Sequence, residues 1–265
     1  MKNSLSNLQD VPVRINVLGV GISALTLSKA VQKISTWIDQ GVRHYINVCT
    51  VHTIMECQRN SELRDIVNKS GMAVPDGMPL VWLAHYSGFK ETTRIYGPDL
   101  MLALCNYSVS RGYKHFFYGG NDGAAQELSD VLSRRYPGLQ IVGAYSPPFR
   151  DVGSLEDKLV IEDINDLHPD IVWVGLGTPK QDYWVANHRK LLNTPVIIAV
   201  GAAFDFHTGR IKQAPEWMQR SGLEWLFRLA MEPRRLTHRY LVYNPLFIMH
   251  VLLQLIGIKR YEFLE

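Results

Sequence analysis

Apolar and polar positions along the chain form two kinds of segment, short and mostly apolar runs, and longer stretches with the period of an amphipathic helix. The short runs are rich in Val, Ile and aromatic residues, and they predict strands at residues 14–18, 44–48, 115–118, 140–144, 171–174 and 196–200. The longer stretches predict helices at residues 23–38, 53–68, 97–111, 124–136, 156–167 and 180–191. Strands that alternate with helices are typical of a parallel sheet with crossover helices.

The runs IVWVGLG and VIIAVGAAF are apolar at successive positions rather than at every second one. A strand of this kind has both faces buried, as in a sheet covered by helices on each side. We therefore predict an α/β fold with a doubly wound, mostly parallel sheet, helices on both faces and a C-terminal helical appendage.

The character of the chain changes near residues 209–215, after which only helical patterns follow. Pro215 can open a helix that runs to residue 231, and Pro233 can open a second helix that ends near residue 243, just before Asn244-Pro245. We predict two domains, an α/β domain at residues 1–209 and a helical appendage at residues 210–265.

Composition narrows the class of protein. Of the 265 residues, 46% are hydrophobic, which is enough to fill a core, and the formal net charge of +3 is too small to indicate a nucleic-acid partner. Cys49, Cys57 and Cys105 are too few and too irregularly spaced for a disulfide framework or a zinc site. The first ten residues lack the apolar segment of a signal peptide, and no run approaches the roughly 20 apolar residues that span a bilayer. We expect a cytoplasmic protein.

Basic residues concentrate in the appendage. Residues 210–239 hold seven Lys and Arg against three Glu, a local charge of +4 (7 − 3) that exceeds the charge of the whole chain. Acidic and basic residues alternate at every fourth position from Glu216 to Glu232, as on a solvated helix face. Trp residues lie between them and an Arg pair follows, which is also typical of a segment at an anionic membrane surface. The final apolar run can lie on a membrane, pack in the core, or form a homo-oligomer contact.

In an open parallel sheet, ligands bind outside the carboxyl ends of the strands, so the loops after the strands are candidate sites. Thr50 and His52 follow the second predicted strand and can present a hydroxyl and an imidazole at a helix N-terminus, although an N-cap and a packed His are the alternative. Asp76 lies between two prolines in VPDGMP, where apolar flanks can raise its pKa. Such a carboxylate can act as a general base, but Asp-Gly is also an ordinary turn.

Three more loops carry candidate residues. Arg94 precedes a predicted helix and can form a fork to a diphosphate, or is simply solvated. Gly119 and Gly120 end a strand and let the backbone approach a nucleotide, although a Gly-Gly turn is weak support by itself. Tyr145, in the loop GAYSPPF, can flank a base.

The two most apolar strands are each followed by a loop of glycines with polar side chains. In GLGTPKQD, Gln181 can bond to a ribose or a pyrimidine edge, and in GAAFDF, Phe204 and Asp205 can contribute nucleotide contacts. A helix start at Pro179 and a cap at Asp205 are the structural alternatives.

Taken in order, these segments resemble the bacterial WecG/TagA/CpsF glycosyltransferases from about residue 15 to about residue 245. The resemblance rests on TVHT, PDGMPLVW, RIYGPDL, FFYGG, GAYSPPF, LGTPKQD and GAAFDFHTG, followed by the tail from Arg210 to Tyr240 with GLEW, EPRR and RY. His52 stands where the family usually has Asn, and Thr208 where it often has Ala. The resemblance therefore does not extend to the donor sugar.

The resemblance implies an inverting, metal-independent transfer from a UDP-sugar to a lipid-linked acceptor, at the cytoplasmic face of the membrane, during assembly of a surface polysaccharide or wall polymer. By the same resemblance, Asp76 is the base and Thr50 a donor-site hydroxyl. Arg94 contacts the diphosphate or the sugar, and Gln181 and Asp205 contact the nucleotide.

The chain contains no D-x-D motif, the usual metal ligand for diphosphate in glycosyltransferases, so we expect no metal and no cofactor. Arg94 with Arg228, Arg235 or Arg239 can neutralise the leaving UDP instead. Two alternatives stay open. One is a nucleotide-sugar-modifying enzyme on a Rossmann sheet, although LGVGIS lacks the third glycine of its fingerprint. The other is a non-catalytic adaptor whose basic tail binds lipid or RNA.

Overall fold

The computed structural model describes residues 11–148 and 154–263. In chain order, the helices and strands are β1 (Arg14–Val17), β2 (Val20–Ser23), α1 (Leu27–Asp39), β3 (His44–Cys49), α2 (Val51–Arg59), α3 (Ser61–Asn68), β4 (Met72–Pro75), α4 (Met78–Tyr86), α5 (Gly97–Arg111), β5 (Lys114–Gly119), α6 (Ala124–Arg135), β6 (Gln140–Tyr145), α7 (Ser154–Leu167), β7 (Ile171–Gly175), α8 (Lys180–His188), β8 (Val196–Ala199), α9 (Ala203–His207), α10 (Glu216–Arg220), α11 (Glu224–Met231) and α12 (Pro233–Leu255).

The chain forms two compact units. The first unit consists of Met1–Thr26, Cys49–Ile95 and Gln213–Glu265, and the second of Leu27–Val48 and Tyr96–Lys212. The division into domains at residues 1–209 and 210–265 stays a prediction. In the structure, the tail shares its unit with the segment that carries Asp76.

The second unit is built on a parallel sheet. Its strands lie in the order β3-β8-β7-β5-β6, and each neighbouring pair is parallel. The connection from β5 to β6 runs towards one edge, whereas β6 to β7 and β7 to β8 run back, so right-handed crossovers place helices on opposite faces. Val172, Trp173 and Val174 of β7 are fully buried, as their continuous apolar run predicts. The predicted α/β fold with a parallel sheet and a helical C-terminal extension is confirmed.

The first unit combines a hairpin, strand β4 and helices. Strands β1 and β2 pair antiparallel through the turn Leu18-Gly19, where both residues have positive φ (52° and 81°), as in a two-residue hairpin turn. All four residues of β4 are buried. Helix α12 packs on α2 and α11, so the C-terminal extension contributes to the core of this unit.

Several predicted boundaries are wrong, each for a local reason. Ser23 does not begin a helix, because it is a buried residue of the hairpin. The predicted helix at residues 53–68 is two helices, because the Asn60 side chain accepts from the Leu63 N–H at 3.1 Å and starts a new one. The predicted helix at residues 215–231 is interrupted near Gly222, which has a φ of 75°. The sequence patterns did not reveal β2, β4 or α4.

The prediction that Asn244-Pro245 ends the last helix is also wrong. Helix α12 continues through Pro245 to Leu255. A proline inside a helix leaves the carbonyl four residues earlier without its usual donor. Here that carbonyl belongs to Leu241, an exposed residue, so water can satisfy it.

Candidate active site

Asp76 is the first residue after β4, and the backbone fixes its position from two sides. The Asp76 N–H donates to the Cys49 carbonyl at 2.9 Å, and the Ile95 N–H donates to the Pro75 carbonyl at 2.8 Å. Gly77 then caps α4, with proline in the first turn. The Asp-Gly turn therefore sets Asp76 at the junction of a buried strand and a helix, where its side chain is only 15% exposed.

Arg94 joins Asp76 to a second carboxylate. Its Nη2 lies 2.9 Å from Oδ1 of Asp76 and 2.5 Å from Oε2 of Glu224, and its Nε donates to the main-chain carbonyl of Asp76. The Arg94 and Glu224 side chains are 16% and 14% exposed. The three side chains form a mostly buried cluster, and Arg94 is committed to two carboxylates of the protein itself.

The surroundings of Asp76 keep it a weak acid. Burial raises its pKa from 3.8 to about 6, and the negative charge of Glu224 acts in the same direction, while Arg94 and Arg228 oppose the shift. For Arg94, burial favours the neutral form, but the two carboxylates outweigh it and the pKa is raised. A carboxylate with a pKa near 6 is ionised at neutral pH and more basic than an exposed Asp, so it can take a proton from a hydroxyl.

Thr50 and His52 begin α2. Thr50 is the N-cap residue, and its backbone and side chain form a capping box with Thr53. Its hydroxyl also accepts from Nη2 of Arg239 at 3.5 Å. The His52 ring stacks on Tyr243, with centroids 5.6 Å apart. Burial first, and then the charge of Arg239, lowers the His52 pKa to about 3, so this imidazole is neutral at physiological pH.

The three predicted arginines of the tail have different surroundings. Arg228 is mostly buried, 4.0 Å from Glu232. Arg239 is partly buried beside Thr50, and burial is the main factor that lowers its pKa. Both arginines interact electrostatically with the Asp76 carboxylate. Arg235 is exposed and pairs with Glu232 at 2.7 Å. The structure therefore groups Arg228 and Arg239 with Asp76 and leaves Arg235 at the surface.

Sequence reasoning missed Glu224 and the network around Tyr243. The Tyr243 hydroxyl donates to Glu56 at 2.8 Å and accepts from Arg59 at 2.5 Å, which connects α12 to α2. Glu224 belongs to the alternating charges of the tail, which predicted a solvated face. That prediction holds for the exposed pair Glu216–Arg220, but the break before α11 turns Glu224 inward. Its place in the GLEW segment of the family resemblance was the available signal.

In the second unit, Gly119 and Gly120 bring the loop after β5 into contact with the loop after β7. Gly119 and Gly120 both have positive φ, and the Gly120 N–H donates to the Gly175 carbonyl at 2.8 Å. A side chain on Gly119 would place a Cβ 2.6 Å from that carbonyl oxygen. Both positions therefore require glycine, and the loops after β5 and β7 run in close contact.

Gln181 holds the loops after β7 and β8 together. Its Oε1 accepts from the Gly177 N–H at 3.2 Å and from the Gly201 N–H at 2.8 Å. The side chain is almost fully buried. Next to it, the buried Asp182 accepts from Asn47 at 2.6 Å. Gln181 thus orders two of the predicted nucleotide loops, and a direct contact with a nucleotide stays a prediction.

The other predicted nucleotide residues lie close to these loops. The Phe204 ring is buried, and it packs against Gly175 and edge-on to Phe117. Tyr145 is half-buried and stacks on Tyr118, with centroids 5.8 Å apart. Asp205 lies in α9, and its carbonyl accepts from the Ile211 N–H at 3.1 Å. Their roles in binding stay predictions. Phe149, at the end of the Tyr145 loop, lies outside the described residues.

The described residues provide neither a metal-binding group of side chains nor a membrane-spanning helix. Within residues 11–148 and 154–263, no three His, Cys, Asp or Glu side chains are grouped so that they could hold a metal ion. None of the helices in the described part of the chain is long and apolar enough to cross a membrane. Metal independence stays a prediction.

Comparison with known proteins gives a consistent result. Residues 15–261 match the model of the glycosyl transferase WecG/TagA/CpsF family. An N-acetylglucosaminyldiphosphoundecaprenol N-acetyl-beta-D-mannosaminyltransferase of Bacillus subtilis (strain 168) is 30% identical over 75% of this chain and 76% of its own length. Proteins of the same name from Bacillus spizizenii and Staphylococcus aureus (strain MW2) are 28% and 24% identical. They match over 76% and 84% of this chain, and over 76% and 87% of their own lengths.

Proposed function

Because the chain belongs to the WecG/TagA/CpsF family and is a glycosyltransferase, we propose that it transfers a sugar from a UDP-sugar to a polyprenyl-diphosphate-linked acceptor with inversion. The pairing of Asp76 with Arg94 carries this proposal. It places a carboxylate of raised pKa, held from two sides by the backbone, among the arginines of the tail. The relatives named above act on a lipid-diphosphate acceptor, which supports the same class of acceptor here.

In the proposed reaction, the Asp76 carboxylate accepts the proton of the acceptor hydroxyl. The hydroxyl oxygen forms a bond to the anomeric carbon as the bond from that carbon to the diphosphate oxygen breaks. UDP departs with the electron pair of the broken bond, and the proton remains on Asp76. Attack opposite the leaving group inverts the anomeric configuration. A positioned general base of this kind contributes about 10²–10⁴-fold to the rate.

We assign the charge of the leaving diphosphate to Arg228 and Arg239. Arg94 is paired with two carboxylates. Within the described part of the chain, the side chain of Arg239 makes one long hydrogen bond, 3.5 Å to the Thr50 hydroxyl. Fixed guanidinium groups in a mostly buried site stabilise a developing negative charge without reorganisation. We propose that the Thr50 hydroxyl, beside Arg239, contacts the donor sugar-nucleotide. His52, which is neutral, would then shape the same part of the donor site.

We assign the nucleotide to the loops of the second unit. Gly119 and Gly120 offer backbone without side chains, and Gln181 sets the shape of the loops around Gly177 and Gly201. Tyr145 and Asp205 are partly exposed in the same unit and can meet a base or a ribose. The buried ring of Phe204 packs against Gly175, so we propose that it supports these loops rather than contacting the nucleotide.

We further propose that the protein lies on the inner face of the cytoplasmic membrane through α12. Residues 233–260 contain no Asp or Glu and five Lys and Arg, and large apolar side chains of this segment are exposed, among them Leu241, Ile248, Leu252 and Ile256. Apolar side chains with flanking basic residues favour an anionic lipid surface. A glycosyltransferase with a lipid-linked acceptor has to meet it at that surface.

The test is a screen of UDP-sugars, including UDP-N-acetylmannosamine, with a synthetic polyprenyl-diphosphate N-acetylglucosamine acceptor. We expect release of UDP and a lengthened acceptor with one donor, and product of inverted anomeric configuration by NMR. Binding of NAD in a fluorescence titration would favour the Rossmann enzyme instead. Calorimetry that detects no UDP binding would favour the adaptor and contradict the proposal.

A further inference from the structure

Glu224 is the one member of the Asp76–Arg94 cluster that comes from the tail, through the first residue of α11. It lies 2.5 Å from the same Nη2 atom of Arg94 that contacts Asp76 at 2.9 Å. All three side chains are mostly buried, so water screens their charges only weakly. One guanidinium thus serves two carboxylates.

We propose that Glu224 is a positioning residue that sets the base strength of Asp76 by sharing the Arg94 guanidinium with it. A carboxylate with an arginine to itself would be a poor base, because the pair favours the ionised form. With Glu224 on the other side of Arg94, the positive charge is divided between two acids, and Asp76 keeps a greater affinity for a proton. The tail therefore contributes, through Glu224, to the base strength of Asp76. This role rests on the proposed function of Asp76 as the base.

The geometry of Arg94 supports the same role. The five N–H groups of a guanidinium lie in one fixed plane. A carboxylate bound at one edge of that plane therefore determines which N–H groups are directed at a second carboxylate. Glu224 at Nη2 directs the Nε side of Arg94 towards the main-chain carbonyl and carboxylate of Asp76. The side chain of Asp76 is thereby held in one orientation.

Among the described residues of the first unit, the charged groups that face Asp76 come from three segments. Arg94 lies in the loop before α5, Glu224 and Arg228 lie on α11, and Arg239 lies on α12. Of these, only Glu224 is negative, so its removal leaves three positive groups around Asp76. The expected direction is unambiguous. Without Glu224, the protonated form of Asp76 becomes less favourable and the carboxylate becomes a weaker base.

The decisive measurement is a titration of Asp76 by ¹³C NMR of the side-chain carboxyl in protein labelled only at Asp, with Asp76→Asn to assign the signal. In the wild type we expect a midpoint near pH 6. In Glu224→Gln we expect a midpoint at clearly lower pH, and in Glu216→Gln, a matched change at an exposed ion pair of the same tail, the wild-type midpoint. An unchanged midpoint in folded Glu224→Gln would overturn the inference.

A second variant separates charge from anchoring of the tail. Glu224→Asp keeps the negative charge with a shorter side chain, so Asp76 should titrate at higher pH than in Glu224→Gln. If both variants lower the midpoint equally, Glu224 acts only by docking α11 and the inference is wrong. The acid limb of kcat/KM for transfer should move in parallel with the NMR midpoint. The titration does not depend on transfer, so a failed search for donor sugars would count against the proposed function and not against this inference.

Discussion

The Nη2 atom of Arg94 lies 2.9 Å from Oδ1 of Asp76, and Nε of the same guanidinium donates to the main-chain carbonyl of Asp76. Arg94 therefore hydrogen-bonds to both the side chain and the backbone of Asp76. The relationship explains why an aspartate with a raised pKa is still ionised at neutral pH. Burial alone favours its protonated form, and the adjacent guanidinium limits the shift.

Asp76→Asn removes the proposed base and keeps its size. We expect kcat to fall by at least about 10²-fold, because an amide cannot take the proton of the acceptor hydroxyl. The affinity for UDP should stay similar, since the diphosphate is assigned to other residues. Steady-state kinetics and calorimetry with UDP check both statements. Asp130→Asn, at an exposed position of α6, is the control. Full turnover in Asp76→Asn would remove Asp76 from the mechanism.

The rate should depend on pH through Asp76. Its pKa is raised to about 6, so the base form predominates above that pH and is lost as the pH falls through it. We expect kcat/KM to fall on the acid side with a midpoint near pH 6. A histidine would give a similar limb, but the His52 pKa is lowered to about 3. His52→Asn should therefore leave the acid limb in place, and its disappearance in that variant would identify His52 as the titrating group.

Arg94→Gln should affect Asp76 in the direction opposite to Glu224→Gln. Without the guanidinium, Asp76 and Glu224 lose their shared counter-ion, so the pKa of Asp76 rises and the acid limb of kcat/KM moves to higher pH. Two mostly buried acceptors also lose their donor, which should lower the free energy of unfolding by about 1–3 kcal/mol. Profiles of rate against pH and urea denaturation give the two quantities. A limb that moves to lower pH would contradict the described pairing.

Gln181→Ala should weaken nucleotide binding through the loops. The N–H groups of Gly177 and Gly201 lose their common acceptor, at a cost of about 1–3 kcal/mol in stability. The Kd for UDP should rise while kcat at saturating donor changes less, because Asp76 and Arg94 are untouched. Calorimetry and kinetics measure this split. Gln126→Ala, at an exposed site on α6, is the matched control. Equal effects of the two changes would argue against the role of Gln181 in joining the loops after β7 and β8.

The membrane proposal predicts a specific loss. Ile248→Glu with Leu252→Glu introduces two negative charges into the exposed apolar face of α12, so sedimentation with anionic vesicles and transfer to a lipid-bound acceptor should both fall. Leu191→Glu, at an exposed leucine of the second unit, should change neither. Deletion of residues 210–265 should also lower both. If the truncated protein still sediments with the vesicles, the membrane contact lies elsewhere.

The sequence by itself determined the class of fold. Continuous apolar runs such as IVWVGLG are typical of strands buried on both faces in a covered parallel sheet. Gly119 and Gly120 mark a strand end where the backbone comes close to its neighbour. These features depend on residues near one another in the chain. The turn that contains Asp76 is likewise predicted by the local sequence, because two prolines flank Asp-Gly.

The tertiary structure decided the partners of those residues. Glu224 is 130 positions from Arg94 in the chain, and the alternating charges around it are those of a solvated helix, so the charge pattern alone does not distinguish it from Glu216. Only the break before α11 and the packing of the tail in the first unit turn it inward. The pKa of Asp76 likewise depends on burial and on charges from distant segments, because electrostatic interactions follow distance in space and not separation along the chain.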